Sequence, residues 1–329
     1  MISQVSRECH EAGGIWSRTA QRGAPRAGSR DGSGRRDHVS TSSHDGWCAM
    51  AQQASEIVRS APRGPRLRGL AFRLLGSLDE TDTAVRQASE REGSSDETDL
   101  AVARLCLDTL SRRAKAPRDD WHVPDLVVTT ADQHTPEQLE LLAGSVGSVL
   151  YVTLDALSAH ERVAFVLHDG YGLEVDRIAD VLGLPATAVT ALTDRARAAV
   201  GEPLAPDGDL RGQRAVLDAF FKAVRAGDED AVRSMIRPDA VLRADAGGHA
   251  MSAVVEGAEQ MARRAVMLGR VRSTSHHVLI NNAAGSVVTA QGQVAAVLAF
   301  TVVGGQVAEI DEIAAPVRVA ALGVEALLR

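Results

Sequence analysis

The chain has 329 residues, more than one typical domain and suited to two or three. Its formal charge of −7 excludes a generally basic nucleic-acid coat, so any contact with DNA must be local. Three cysteines, Cys9, Cys48 and Cys106, lack CxxC spacing; this excludes a disulfide framework and a zinc site and suits a reducing cytoplasm. Aromatic content is only 3%, so the cores must be built from Leu, Val and Ala. No apolar run approaches the roughly 20 residues needed to span a bilayer. The opening MISQVSRECHEAGG also lacks the apolar core of a secretory signal. The expectation is a soluble, cytoplasmic protein with no membrane partner.

Residues 1–49 are rich in Arg, Ser and Gly and have no sustained periodicity, which predicts a disordered leader. The alternative is a basic arm on nucleic acid; Met50 opens a plausible helix, so the leader need not be translated. Residues 54–114 read as a helical domain. Leu67, Leu70, Ala71, Leu74 and Leu75 mark one helix ending at Gly76, a second spans Asp79 to Glu92, and a third spans Thr98 to Arg113 with Val102, Leu105 and Leu110 inward. Residues 115–149 have prolines, mixed charge and no clean period, and read as a connector.

Residues 150–201 carry the clearest local signals. Ser158 and Glu161 form a capping box that starts a helix near Ala159. Val175, Ile178, Ala179 and Leu182 make the inner stripe of a second helix, closed by Gly183. Pro185 starts a third, with Val189, Leu192 and Ala196 buried. Two short helices joined through a glycine turn form a helix-turn-helix, whose second helix can enter a DNA major groove; the alternative is a three-helix bundle that meets no DNA. After a linker at 202–210, residues 211–329 read as helices followed by an antiparallel sheet, an α+β domain. Its long first helix carries Val216, Phe220, Ala223 and Val224, followed by a polar turn, a short helix and a strand; residues 257–268 are helical, and HHVLINN, SVVTAQ, VAAVLAFTVV and QVAEIDEI are four strands separated by Asn/Gly turns.

The phrases LSAHERVAFVLHD, IADVLG and RARAAV resemble the fourth conserved region of extracytoplasmic-function (ECF) sigma factors, of the sigma-70 type. RLRGLAFRLLGS and ARLCLDTLSRR resemble the two ends of the second region of that family. Between them DETDTAVRQASEREGSSDETDL departs from the family pattern, and no Phe, Tyr or Trp lies between Phe72 and Trp121, although base capture during melting normally uses rings. The C-terminal part is similar to the cone-shaped SnoaL-like domain that one group of these sigma factors carries. The Asp-Gly-Gly-Gly-Lys mark of that group corresponds to Asp245-Ala246-Gly247-Gly248-His249, which departs from it at the second and fifth positions. The group's Trp-Leu-Pro-Glu-Pro linker is matched loosely by Trp121 with Val123-Pro124-Asp125-Leu126. The fold class is then multidomain: two all-α sigma domains, the second a helix-turn-helix, and an α+β SnoaL-like cone.

The resemblance implies a transcription initiation factor with core RNA polymerase and promoter DNA as partners. Its C-terminal domain would modulate activity through the linker, with Trp121, Asp245, Gly247, Gly248 and His249 as interdomain residues. Asp82 and Gln87 are the nearest matches to a polymerase-contacting helix, or else a solvated helix face. On the recognition helix Thr187, Thr190, Ala191, Asp194 and Arg197 face outward, with Arg195 nearer the rim, and both arginines would hold phosphate. Residues 150–200 nevertheless hold seven acids against four arginines, a net −3, and Asp194 would repel DNA.

Two other functions remain open. One is a degenerate sigma body acting as an accessory or ligand sensor, with Met251, Met261, Met267 and Phe300 lining a pocket for an unidentified small molecule. The other is an isomerase-like enzyme using Asp245, His249 or Asp311; its alternative is that Asp245 and Gly247-Gly248 form a strand-end turn. His276 and His277 would face opposite sides of a strand, His160-Glu161 lacks a second histidine, and no Gly-rich loop follows a strand. No metal or cofactor is expected.

Overall fold

The computed structural model describes residues 63–90, 95–115, 123–130, 154, 156–200, 206–247, 252–269 and 273–328. The expected leader at 1–49, Trp121, Gly248, His249 and Met251 lie outside the described residues.

Three helices open the fold: α1 (Arg63–Leu75), α2 (Leu78–Ser89) and α3 (Ser95–Lys115). In α1, Leu67, Leu70, Ala71 and Leu74 recur at i, i+3, i+4 and i+7, and all are buried. The helix stops at Gly76, whose φ of +65° suits a residue without Cβ and whose N–H donates to the Phe72 carbonyl at 2.7 Å. In α2, Asp79 and Glu80 occupy the first turn, where carboxylates complement the helix dipole.

Three more helices follow: α4 (Ala159–Phe165), extended by a π-helical turn (Val166–Gly170), α5 (Val175–Leu182) and α6 (Ala186–Val200). The capping box at Ser158 and Glu161 is present, and Gly183 closes α5 at φ +64°. These helices share one hydrophobic core with α1–α3, running from Leu67 and Leu74 through Val102 and Cys106 to Val163, Ile178, Val189 and Ala196. Burial raises the Cys106 thiol pKa far above its usual range. Arg73 of α1 lies over the Tyr171 ring at 5.4 Å, and Arg104 of α3 donates to the Asp180 carbonyl of α5 at 3.4 Å. The two helical segments therefore pack as one body, a contact that no local pattern announces.

The C-terminal part comprises α7 (Leu210–Ala226), α8 (Glu229–Ser234), β2 (Ile236–Asp245), β3 (Ala253–Glu256), α9 (Ala258–Gly269), β4 (Ser273–Ile280), β5 (Ala283–Ala290), β6 (Gln293–Val303), β7 (Gln306–Ile313) and α10 (Pro316–Ala321), then a 3₁₀ turn (Val324–Leu328). Its sheet gains a seventh strand, β1 (Val128–Thr129), from the connector, in the order β1-β4-β5-β6-β7-β2-β3. Neighbours are antiparallel except β2 and β7. Asn281 and Asn282, both at positive φ, make the tight turn between β4 and β5.

The sheet is covered on both faces. Leu217 and Phe220 of α7, Val232 of α8 and Met261, Ala262 and Val266 of α9 pack on Leu242, Phe300 and Ile310. There Phe220, Phe221 and Phe300 meet edge to face with ring centroids 5.6–5.8 Å apart. The other face, with Val278, Val287, Val297 and Ile313, is covered by Val123, Leu126 and Val128 of the connector and by Val319 and Val324 of the C-terminal turn. The connector expected at 115–149 is thus built into the sheet over residues 123–129. Each such buried aliphatic side chain contributes about 1.5–3 kcal/mol, enough to offset the ordering of the segment. The linker at 202–210 is also tied down: both Asp207 carboxylate oxygens accept from the Gly304 and Gly305 N–H groups at 2.8 Å.

A Cβ on Gly76 would lie 3.3 Å from Pro124 Cβ in a left-handed backbone. Gly76→Ala is expected to destabilise the protein by at least about 1–2 kcal/mol, measured by urea unfolding.

Candidate functional site

Helix α6 turns Val189, Leu192, Thr193 and Ala196 into the core and leaves Thr187, Thr190, Ala191, Asp194, Arg195 and Arg197 exposed. All six outward positions read from the sequence therefore share one solvent face. Thr190 Oγ1 donates back to the Ala186 carbonyl at 3.2 Å. The arginines do not project freely. Arg195 Nε donates to Glu161 at 3.0 Å, and Arg197 meets Asp169 through Nε at 2.8 Å and Nη2 at 2.5 Å. Asp194 is 3.3 Å from Arg197 Nη1. These pairs draw acids from α4 and its π turn onto the helix that carries the arginines.

Glu161 serves two partners. It accepts from the Ser158 hydroxyl at 2.6 Å and the Ser158 N–H at 3.1 Å, closing the capping box, and it receives Arg195. The Ser158 hydrogen bond, then Arg195, lower its pKa. The Asp169 hydrogen bond raises that of Arg197.

On α2, Asp82 is exposed and pairs with Arg68 at 2.7 Å, and Gln87 is exposed on the same helix.

A second constellation joins three parts of the chain. Asp125 of the connector accepts from the Leu78 N–H at 2.9 Å, at the N-terminus of α2, and its own N–H donates to the Gly76 carbonyl at 2.8 Å. Its other oxygen accepts from Arg318 Nη2 of α10 at 2.7 Å, across 193 residues of sequence. Arg318 Nη1 donates to Asp245 at the end of β2. Gly247, at φ +86°, donates its N–H to Asp245 Oδ1 at 3.1 Å, which makes this a strand-end turn. The sequence singled out Asp245 and Gly247 but missed Asp125 as a helix cap and Arg318 altogether. Only folding brings them together.

Of the residues considered for catalysis, Asp245 and Asp311 are described and each is held by an arginine. Asp245 and Asp311 lie on the sheet face under the connector, Asp245 bound to Arg318 and Asp311 to Arg243 at 3.1 Å. Arg243 also holds Glu309 at 2.9 Å. Met261 and Phe300 are core, whereas Met267 is 44% exposed and lines no interior. His276 and His277 do face opposite sides, reaching Thr289 at 3.0 Å and Asp218 at 2.8 Å. Among the described residues no helix is long and apolar enough to cross a membrane.

Comparison with known proteins accounts for this arrangement. The family model for sigma-70, region 4, matches residues 148–200, which include all of α4–α6. The ECF RNA polymerase sigma factor SigJ of Mycobacterium tuberculosis is 32% identical over 212 residues, covering 60% of this chain and 68% of that protein. The chain belongs to the ECF RNA polymerase sigma factors. A probable ECF sigma factor of the same organism, SigI, is 31% identical over 207 residues, covering 58% of this chain and 69% of the relative. The crystal structure of SigJ superposes with a TM-score of 0.63 at 28% identity, covering 78% of this chain and 95% of that one. As an ECF sigma factor with a SnoaL-like C-terminal domain, the protein directs transcription initiation through promoter DNA. Core RNA polymerase is the partner its family implies.

Ser158→Ala removes the cap of α4 and is expected to cost about 1 kcal/mol. Because the folded pKa of Glu161 lies below its unfolded value, its contribution is complete above the ordinary glutamate range and is lost as pH falls through the lowered folded value. Glu161→Gln should therefore narrow the stability gap to the parent protein as the medium is acidified below about pH 4; urea midpoints across that range check it.

Proposed function

We propose that this sigma factor contacts the upstream promoter element through the exposed face of α6, and that its C-terminal domain restrains it through the connector. Thr187, Thr190 and Ala191 meet base edges and methyl groups, Asp194 and Arg195 lie at the rim, and Arg197 stands beside them. Asp82 and Gln87 on α2 meet core polymerase. The observation that carries the promoter reading is that α6 keeps its outer face open although α4–α6 share a core with α1–α3. Packing thus holds the two helical parts together without covering the recognition surface.

Restraint is assigned to the Asp125–Arg318–Asp245 bridge, with Trp121, Gly247, Gly248 and His249 in the same neighbourhood of the sequence. The connector is an edge strand of the SnoaL-like sheet and its Asp125 caps the helix offered to polymerase. Releasing it would free the α1–α2 end of the helical body from the SnoaL-like domain. The interlocked Phe220, Phe221 and Phe300 rings fill the space among themselves on the helix-covered face of the sheet.

Arg318→Gln and Asp125→Asn, each tested in the full chain, should raise retention on core polymerase and promoter-dependent transcription several-fold. Unchanged values in both variants would refute the restraint. Asp194→Lys should tighten promoter binding and steepen its salt dependence by about one unit of slope; if neither changes, α6 does not meet DNA.

A further inference from the structure

The two arginines of α6 are held in different ways, although the sequence offers them as equivalents. Arg197 forms a fork-on-fork pair with Asp169, using Nε and Nη2 at 2.8 and 2.5 Å. Its Nη2 is also 3.1 Å from His168 Nδ1, which itself lies 2.6 Å from Asp169. The Asp169 side chain is only 13% exposed. Arg195, by contrast, makes one contact, through Nε to Glu161, and its side chain is 60% exposed.

Consider what a DNA phosphate would have to displace. Drawing Arg197 away breaks two charge-assisted hydrogen bonds and strips a mostly buried carboxylate of its bidentate partner. The phosphate would also meet the Asp194 carboxylate, 3.3 Å from the same guanidinium and 64% exposed. Drawing Arg195 away breaks one exposed contact of little worth. Glu161 is left with the Ser158 hydroxyl and N–H, so nothing is stranded.

We infer that Arg197 is a positioning residue, which together with Asp169 sets the angle of α6 against the end of α4, and that Arg195 alone is the phosphate ligand. The inference rests on α6 being the promoter-contacting helix, and it divides labour within that helix. Asp169, at the π turn, thereby becomes a determinant of promoter discrimination although it touches no DNA. The physical reason is geometric: base readout by short side chains such as Thr187 and Thr190 tolerates little rotation of the helix, because a threonine cannot reach to compensate.

The test uses holoenzyme assembled from the full chain and core polymerase. The probes are a short duplex that the parent holoenzyme selects from a randomised pool and an unrelated duplex of the same length, each titrated over a salt series. Arg195→Ala should lower the slope of log affinity against log salt by about one on both duplexes. Arg197→Ala should leave that slope unchanged and reduce discrimination between the duplexes several-fold, at temperatures well below its unfolding midpoint. Asp169→Asn should do the same, and the double variant should lose no more than either single one. A slope reduced by about one in Arg197→Ala, with tighter binding in Asp169→Asn, would overturn the inference and make Arg197 a phosphate ligand held back by Asp169. If the parent holoenzyme discriminates between duplexes but neither Arg195→Ala nor Arg197→Ala changes affinity, slope or discrimination, the promoter-contact reading of α6 itself fails.

Discussion

One carboxylate ties the molecule together. Asp125 caps the N-terminus of α2, binds Arg318 of the last helix, and through its backbone closes on Gly76 at the end of α1. A helix N-terminus presents unpaired N–H groups and partial positive charge, so it competes with the guanidinium for the same side chain without opposing it. The carboxylate has two oxygens and each partner takes one. Removing it would leave a helix end uncapped, a connector unanchored and Arg318 with Asp245 as its remaining acid.

The surrounding architecture serves that arrangement. Asp245 is nearly buried, and a buried carboxylate is tolerated only when paired, so Arg318 is held from its far side as firmly as from its near one. The connector reaches the junction because it is stitched to the sheet: Val128 and Thr129 pair with β4, and Val127 exchanges hydrogen bonds with Asn281. Apolar anchors on either side of Asp125, Val123, Leu126 and Val128, are buried in the core on that face of the sheet.

Within α4–α6 the same economy governs DNA binding. The segment's acidic balance looks unsuited to a polyanion, but two of its seven acids have internal duties. Glu161 completes a capping box, and Asp169 holds Arg197. The outer face of α6 presents Thr187, Thr190 and Ala191 beside Asp194, Arg195 and Arg197.

Much of this was written locally. The helix of α1 follows from leucine spacing, that of α4 from Ser158 and Glu161, the end of α5 from Gly183, and the outward positions of α6 from the burial of Val189, Leu192 and Ala196 between them. Five of the six strands in the C-terminal domain are legible, the last four of them separated by Asn/Gly turns. Local sequence specifies such features because caps, turns and amphipathic stripes are formed by residues within a few positions of one another. It carried no sign that α1–α3 and α4–α6 share a core, that residues 128–129 complete a sheet, or that Arg197 answers to Asp169 and Asp125 to Arg318. Those pairings join residues tens to nearly two hundred positions apart, and an arginine reads the same in sequence whether it will meet a phosphate or a carboxylate. Which of the two it meets is settled only when tertiary packing sets the distances.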